Sequence, residues 1–495
     1  MERTQTFKLP PDIIVSVLQC LDPVDIVAMR ATCRTFYKAS SSRSVWLSAL
    51  DRVCNLHGIF KPTYPAEKMT RTELEHAASS PHRFIKFVNE FDSPLAKSTQ
   101  PYLKREFFCR KKNSGPGISG GAFRATHLSL VPGGRFLITA AGSNSTAAGG
   151  NLCLWDLGYS MDCPLKSFPT ATLPITGHQL TLSTFPTRNG IEFLLAVATF
   201  GPSAEYVVAV YRVDPMSRRP EFVLQNELDL TGHSIFSPKH IHLREPMMVL
   251  KSGMDVIAWN WAQGTGCQWT YSNLEINASM LVCDNTVISV DDDKDFTIWD
   301  LPAELPPLGP ADALQPISNF PKRVCRRHWG GLPGFDITST PAWQQHTQPH
   351  ICFVVNEEDD ADFEKRLSLY SVRRVGRQDA AFLPTYLPVD GGEAEYVAGN
   401  IDPPITGTVS PLFSCDNRLV MCSRSSEGDL VATVLPVPIE TCDEIIPRSA
   451  LLLKDVNDNV LDRDTIAFCP MSGRVVYPFS DTSLQVLDFL LPLEG

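Results

Sequence analysis

Leu9-Pro10-Pro11-Asp12-Ile13-Ile14-Val15-Ser16-Val17-Leu18-Gln19-Cys20-Leu21-Asp22-Pro23 is the stretch from which the rest of the chain is read. Behind Asp12, the residues Ile13, Ile14, Val17, Leu18 and Leu21 recur at the spacing of one apolar helical face. Leu21-Asp22-Pro23 ends that helix and starts another. Asp22 is placed to cap it, Pro23 suits a first position that needs no intrahelical N–H, and Asp25 adds negative charge to the first turn. Ile26, Val27 and Met29-Arg30 carry the second helix to Cys33-Arg34, and Phe36, Tyr37, Val45, Trp46 and Leu47 supply a third apolar group. Fifty residues bury little surface alone. The apolar content therefore exceeds what its own core can use, and a bound protein is implied.

This order of residues resembles the F-box. The shared elements are Leu9, Pro10, Asp12, Ile13, Ile14, Val17, Leu18, Leu21, Asp22, Pro23, Ile26, Cys33, Arg34, Phe36 and Trp46. Two positions depart from the family's pattern: Pro11 precedes the acidic residue, and Phe36 stands where a Trp is common. The resemblance implies docking on a Skp-family adaptor, and through it on the cullin and RING subunits of a ubiquitin ligase. The docking set it implies is Leu9, Pro10, Ile13, Ile14, Val17, Leu18, Leu21, Pro23, Ile26, Cys33, Phe36 and Trp46. The bland alternative is a small helical subdomain packed on the rest of the chain.

At 495 residues the chain has room for two or three domains, and 43% apolar with 20% charged residues is ordinary globular composition. No run of eighteen apolar residues occurs, so no membrane span is expected. The polar stretch before Leu9 does not read as a secretory signal, and an intracellular location, cytoplasm or nucleus, is expected. The 14 cysteines contain no Cys-x-x-Cys pair and read as reduced thiols. By the same logic the sequons at Asn144 and Asn277 are expected to be unused.

The net charge of −11 divides unevenly. Residues 1–112 hold 18 Lys+Arg against 11 Asp+Glu, a balance of +7, and residues 113–495 hold 26 against 44, a balance of −18. Phosphate contacts need basic surface, so nucleic-acid binding by the larger part is not expected.

Residues 51–112 read as more helix, a linker segment comparable to that of many fungal F-box proteins. Thr70-Arg71-Thr72-Glu73 fits a capping box. Ser80-Pro81 is expected to stop that helix, and Phe84, Phe87, Val88 and Phe91 recur at helical spacing in the next, a rigid strut. Lys104-Arg105 and Arg110-Lys111-Lys112 form a basic linker, read as a solvated hinge with binding of nucleic acid or an import receptor as the alternative. Asn113-Ser114-Gly115-Pro116-Gly117 marks the boundary. The expected domains are 1–50, 51–112 and 113–495.

From Ala122 the pattern turns to β and repeats. His127–Leu130, Arg135–Ala140 and Leu152–Asp156 read as three strands; related triplets end at Trp299-Asp300 and at Leu484–Asp488, with weaker copies between, making seven units. Such sheets cover both faces only by stacking, and a ring of them hides most edges. Gly177-His178, Gly232-His233, Trp155-Asp156 and Trp299-Asp300 are similar to the WD-repeat signature in partial form. The expected fold class is therefore multidomain α plus all-β: a three-helix F-box and helical linker followed by a β-propeller of about seven irregular blades. A two-sheet sandwich is the alternative. A strand near Ala122–Thr126 is expected to close the ring with the C-terminal triplet, and the proline-rich segments 302–341 and 373–409 are expected to be irregular.

No catalytic group stands out, and neither a cofactor nor a metal is expected. Gly115–Gly121 spells both a dinucleotide and a hydrolase motif, but each needs a strand before and a helix after, which the context lacks. His240 and His242 alternate on one strand without a third ligand, and surface or capping roles are expected. The WD-repeat resemblance gives His178 and His233 structural roles. The organised constellation is acidic: Glu205, Asp291-Asp292-Asp293-Lys294-Asp295, Glu357-Glu358-Asp359-Asp360-Ala361-Asp362, Glu427-Gly428-Asp429 and Asp481. These read as turns on one rim that would attract a basic target protein, although exposed turns are acidic for solubility alone, and Asp291–Asp295 is a distant match to a calcium loop. The expected function is a non-catalytic substrate receptor of a ubiquitin ligase. The alternatives are an F-box scaffold without a degradative role and a propeller enzyme.

Overall fold

A computed structural model describes residues 9–91, 99–108, 124–142, 150–160, 162–175, 179–201, 206–231, 240–252, 255–270, 280–283, 286–290, 296–302, 304–309, 314–317, 322–325, 332–339, 342–345, 350–358, 365–375, 385–388, 396–398, 405–409, 411–416, 418–425, 429–436, 448–454, 466–480 and 482–491. Helices α1 (Pro11–Cys20), α2 (Pro23–Arg30), α3 (Arg34–Ser40), α4 (Arg43–Leu56) and α5 (Arg71–Glu90) come first. Pro11 and Pro23 sit in opening turns, where their missing N–H costs nothing. Asp22 takes the N-cap position of α2, but its carbonyl, not its side chain, accepts from Ile26 N at 3.0 Å. The third apolar group is split: Phe36 and Tyr37 lie on α3, whereas Val45 and Trp46 lie on α4, which runs through position 50 without a break.

The capping box forms at Thr70 and Glu73. The expected stop at Ser80-Pro81 does not occur: α5 continues through Pro81 to Glu90. Proline forfeits a helical bond, but the Ser79 and Ser80 hydroxyls bond the Glu75 and His76 carbonyls at 2.8 and 2.6 Å. The helix is also held from outside, because Leu74, Ala78, Phe84, Ile85 and Val88 are buried. Tertiary packing overrides the local breaker here.

Among the described residues seven sheets of four or five strands follow, antiparallel throughout except where Gln315–Pro316 joins Thr265–Thr270 in parallel. We number them I–VII by their first strands Arg124–Leu130, Gln179–Pro186, His240–Leu243, Met280–Cys283, Leu332–Ser339, Ile405–Val409 and Ala467–Cys469. The first strand of sheet I packs on those of II and VII; that of III packs on II and IV, and that of IV on V. Lys365–Val375 of sheet V packs on Ile405–Val409 of VI. Sheets VI and VII meet at Phe413 and Phe468, whose ring centroids are 6.0 Å apart.

The strand that completes sheet VII is Leu103–Phe108, not one near Ala122–Thr126. It pairs antiparallel with Ser483–Asp488, Leu103 opposite Asp488 and Phe108 opposite Ser483. Phe107 is buried against Trp155 of sheet I, and Arg105 bonds Asp488 Oδ2 at 2.7 Å. The basic segment taken for a hinge is thus part of the sheets, while Arg110-Lys111-Lys112 lies outside the described residues. The proline-rich segments also contribute strands, among them Lys322–Cys325 as the last strand of sheet IV and Thr385–Pro388 as that of sheet V.

Helices and sheets share one hydrophobic core, running from Ile14, Leu18 and Trp46 through Leu74 and Phe84 to Phe413, Phe468 and Leu487. Phe84 packs 5.6 Å from Phe468, and Phe87 5.8 Å from Phe489. A second joint lies in the loop after α4. Phe60 meets Phe136, Phe193 and Trp343 edge-on at 6.0, 5.7 and 5.6 Å. Gly58, at φ +59°, lets the backbone pass where a Cβ would lie 2.2 Å from the Trp343 carbonyl oxygen. Gln344 Nε2 donates to the His57 carbonyl at 3.0 Å, and Arg135 Nη1 to the Pro62 carbonyl at 2.8 Å.

Candidate functional site

Helices α1 and α2 are two-sided. Ile14, Leu18, Pro23 and Ile26 are buried, Leu18 and Ile26 completely. On the other side Leu9 (43%), Ile13 (44%), Val17 (42%), Val24 (38%) and Val27 (44%) remain open to solvent, joined by Tyr37 (59%) of α3. Isolated exposed apolar residues are ordinary; these six are grouped on or beside three consecutive helices, which makes this the candidate contact surface.

The twelve residues expected to dock a partner therefore divide. Leu9, Pro10, Ile13, Val17 and Cys33 are exposed; Leu21 and Phe36 are half-buried. Ile14, Leu18, Pro23, Ile26 and Trp46 are corrected to core positions: they face α3–α5 and shape the stripe from behind. Val24, Val27 and Tyr37 belong to the stripe but were absent from the expected set. For Val24 and Val27 the signal was their i, i+3 spacing on α2; Tyr37 lies on α3. Cys33, at the N-cap of α3, has its thiol held below the usual range chiefly by the Phe36 backbone N–H.

The stripe is anchored by polar bonds behind it. Arg52 donates to the carbonyls of Gln19 and Leu21, fixing the end of α1 on α4. Arg30, at the end of α2, forms a two-pronged ion pair with Glu75 of α5. Farther along α5, His82 Nδ1 lies 2.6 Å from Asp416 Oδ2 of sheet VI, and Arg83 bonds the Leu491 carbonyl.

The two expected Trp-Asp pairs end their strands. Asp156 takes both prongs of Arg135 at 2.9 Å; burial works against its charge, yet these bonds hold its carboxyl below the usual range. Trp155 Nε1 donates to Thr139 Oγ1 at 3.0 Å. Asp300 accepts from Thr286 Oγ1 at 3.4 Å. Asp488, with no Trp before it, repeats the Asp156 arrangement: Arg474 Nε reaches Oδ1 at 2.6 Å while Arg105 holds Oδ2. That position connects the closing strand to two strands of sheet VII.

Of the histidine pair, His242 bonds the Met280 carbonyl at 3.2 Å, and burial pushes its pKa down to about 4. Among the described residues no group of His, Cys, Asp or Glu could hold a metal. No helix among them is long and apolar enough to cross a membrane.

The acidic constellation is described only in part. Glu205, Asp291, Asp292, Asp293, Asp295, Asp359, Asp360, Asp362, Glu427 and Asp481 lie outside the described residues, as do Gly115–Gly121, His178 and His233. Two readings are corrected. Glu357 and Glu358 end a strand, in register with Arg366 and Lys365, rather than forming a turn. Asp429 is buried, because it opens the strand beside sheet VI's core, and so is not a rim charge.

Residues 6–50 match the family model described as F-box-like. No curated protein matches the chain in sequence. Among solved structures, the chain is similar to a chain of the mitotic checkpoint complex at 11% identity and TM-score 0.41, covering 80% of this chain and 96% of that one. It is also similar to the N-terminal domain of Nup159 at 13% identity and TM-score 0.36, covering 79% and 96%. A third is Kluyveromyces lactis Hsv2, at 9% identity and TM-score 0.38, covering 66% and 87%.

Proposed function

We propose that the chain is a non-catalytic substrate receptor of a cullin-RING ubiquitin ligase, working inside the cell. The α1–α2 stripe seats a Skp-family adaptor, and the sheets, arranged as a propeller of seven blades, hold a target protein. The observation that carries this reading is the two-sided build of α1 and α2: one side is shared with the core of the sheets, the other is left apolar and open. The F-box-like match over residues 6–50 supports the identity of the adaptor.

The sheets supply the second half. Turns of an antiparallel meander alternate between its two ends. The helices meet the turns between first and second strands: Phe60 N bonds Pro132 O, Lys61 lies beside Gly190, His82 reaches Asp416, and Phe84 lies beside Gly473. The ends where second strands pass to third, such as Val290 and Phe296 in sheet IV, therefore point away from the helices. We place the target on that far side; the intervening sequence Asp291, Asp292, Asp293, Lys294, Asp295 is acidic and would favour a basic surface. Two binding events on one body convert a bimolecular encounter between ligase and target into a local one.

The test is a pull-down of a purified Skp-family adaptor by the full chain carrying Ile13→Ala and Val17→Ala. Recovery should fall about tenfold or more, as expected when two anchor residues of an interface are truncated, while the unfolding midpoint stays put. Equal recovery would remove the reading.

A further inference from the structure

Between the stripe and the sheets, one side-chain ion pair joins α2 to α5. Arg30 Nη1 and Nη2 reach Glu75 Oε1 and Oε2 at 2.6 and 2.9 Å. Arg30 Nε also donates to Ser40 Oγ at 3.1 Å, at the end of α3, and its guanidinium lies 5.4 Å from the Trp46 ring of α4. Trp46 Nε1 returns to the Ser40 carbonyl at 2.8 Å. One guanidinium thus gathers three helices onto a carboxylate of the fourth. Among the described residues no other ion pair links α1–α4 to α5. Arg43 and Arg52 reach backbone carbonyls instead, and neither touches α5.

The geometry matters because apolar contact between α2 and α5 is non-directional and allows sliding. Two parallel bonds to a planar fork fix rotation as well as distance. Glu75 is buried, so salt and water do little to loosen the pair. From Glu75, α5 runs on to Phe84 and Phe87, which are seated on Phe468 and Phe489.

We infer that Glu75 is a positioning residue: through Arg30 it sets the angle between the α1–α2 stripe and the sheets. This rests on the reading above, in which the stripe carries the ligase and the sheets carry the target. The joint after α4 at Phe60 ties the helices to the sheets as well, and within that hold the pair would fix how α2 and the stripe are turned, with no contact to either partner. Glu75→Gln keeps the volume and one acceptor but removes the charge and the second prong.

The experiment measures the distance between spin labels on Lys38 of α3 and Lys166 beside sheet I in the full-length chain. The labels are carried by non-cysteine residues, since Cys20 and Cys33 are exposed. A single narrow distribution is expected for the parent chain, and a broadened or shifted one for Glu75→Gln at temperatures where its unfolding curve shows a folded chain. If Glu75→Gln does not fold, Arg30→Lys, which keeps the charge but loses the fork, is read in the same way. An unchanged distribution in the folded variant overturns the inference. Adaptor affinity is measured alongside. Parent and variant should bind equally; a parent chain that binds no adaptor refutes the receptor reading while the distance result still decides the joint.

Discussion

The helices at the amino end and the sheets beneath them treat apolar side chains in opposite ways. Six of the fifteen exposed large apolar residues fall within Leu9–Tyr37, a small part of the described chain. In sheets VI and VII, by contrast, Val420, Met421, Val475, Val476, Val486 and Leu487 are almost wholly enclosed. The difference is not one of packing quality, because Leu18, Ile26 and Trp46 are enclosed as tightly as any strand residue. It is one of sidedness. A strand between neighbouring sheets has both faces covered, whereas α1 and α2 have one, and the part of each large side chain left open on the other forgoes about 1 kcal/mol of burial. The adaptor of the proposed function would recover that burial.

The contrast can be broken most severely on the enclosed side. Asp488 is 1% exposed and held by Arg474 and Arg105, so Asp488→Asn leaves two guanidiniums short of their partner. Removing one member of a buried ion cluster costs about 3–5 kcal/mol. The urea midpoint should drop accordingly. Because Leu103–Phe108 would lose its tether, that strand's amides should be the first in the sheets to exchange. A midpoint equal to the parent's would mean that the strand ladder alone closes sheet VII.

The next effect separates the two sides of one helix. Ile14→Ala should cost about 3 kcal/mol, the transfer and cavity terms of a filled core site, with Ile14 4% exposed. Ile13→Ala, one position away, should stay within about 0.5 kcal/mol, as surface substitutions do. Equal losses by chemical denaturation would show that α1 has no open side.

What was legible beforehand follows the same division. Spacing alone marked α1, α2 and the strand triplets, since a helical or alternating period is local. Assigning each apolar residue to core or surface was not local: Ile13 and Ile14 are chemically alike, and only α4 and α5 decide which is covered. Pro81 was misread because the local rule against proline is strong, and the packing of Phe84 and Ile85 that overrides it comes from sheets more than 300 residues later. Lys104-Arg105 was read as hinge for the same reason. Leu103, Arg105 and Phe107 alternate as strand residues do, but the partner that accepts Arg105's charge is Asp488, at the far end of the chain. The Arg30–Glu75 pair had no sequence signal, being two ordinary charges 45 positions apart.

The smallest expected effect concerns acid and falls on the joint between the two regions. His76 lies on α5 beside Arg83, with Nδ1 2.7 Å from Arg83 Nη1. Burial first, and the neighbouring guanidinium second, push its pKa down to about 4, while Asp488 pulls weakly the other way. The folded chain therefore refuses a proton that the unfolded chain accepts near the ordinary value of 6.5. Stability is complete above that value and is lost as pH falls from about 6.5 toward 4, because the unfolded state binds more protons across that window. At pH 5 the loss attributable to His76 is about 2 kcal/mol, from roughly one and a half of the pKa units between the two states. His57, buried where the helices meet sheet VI and likewise held below its ordinary value by burial, adds in the same direction. Urea midpoints at pH 7.5 and pH 5 should differ accordingly, and His76→Gln should shrink that difference. If the variant kept the parent's full pH slope, the acid sensitivity would belong to the sheets, where His242 is also held neutral, and the joint would be as acid-resistant as its apolar half.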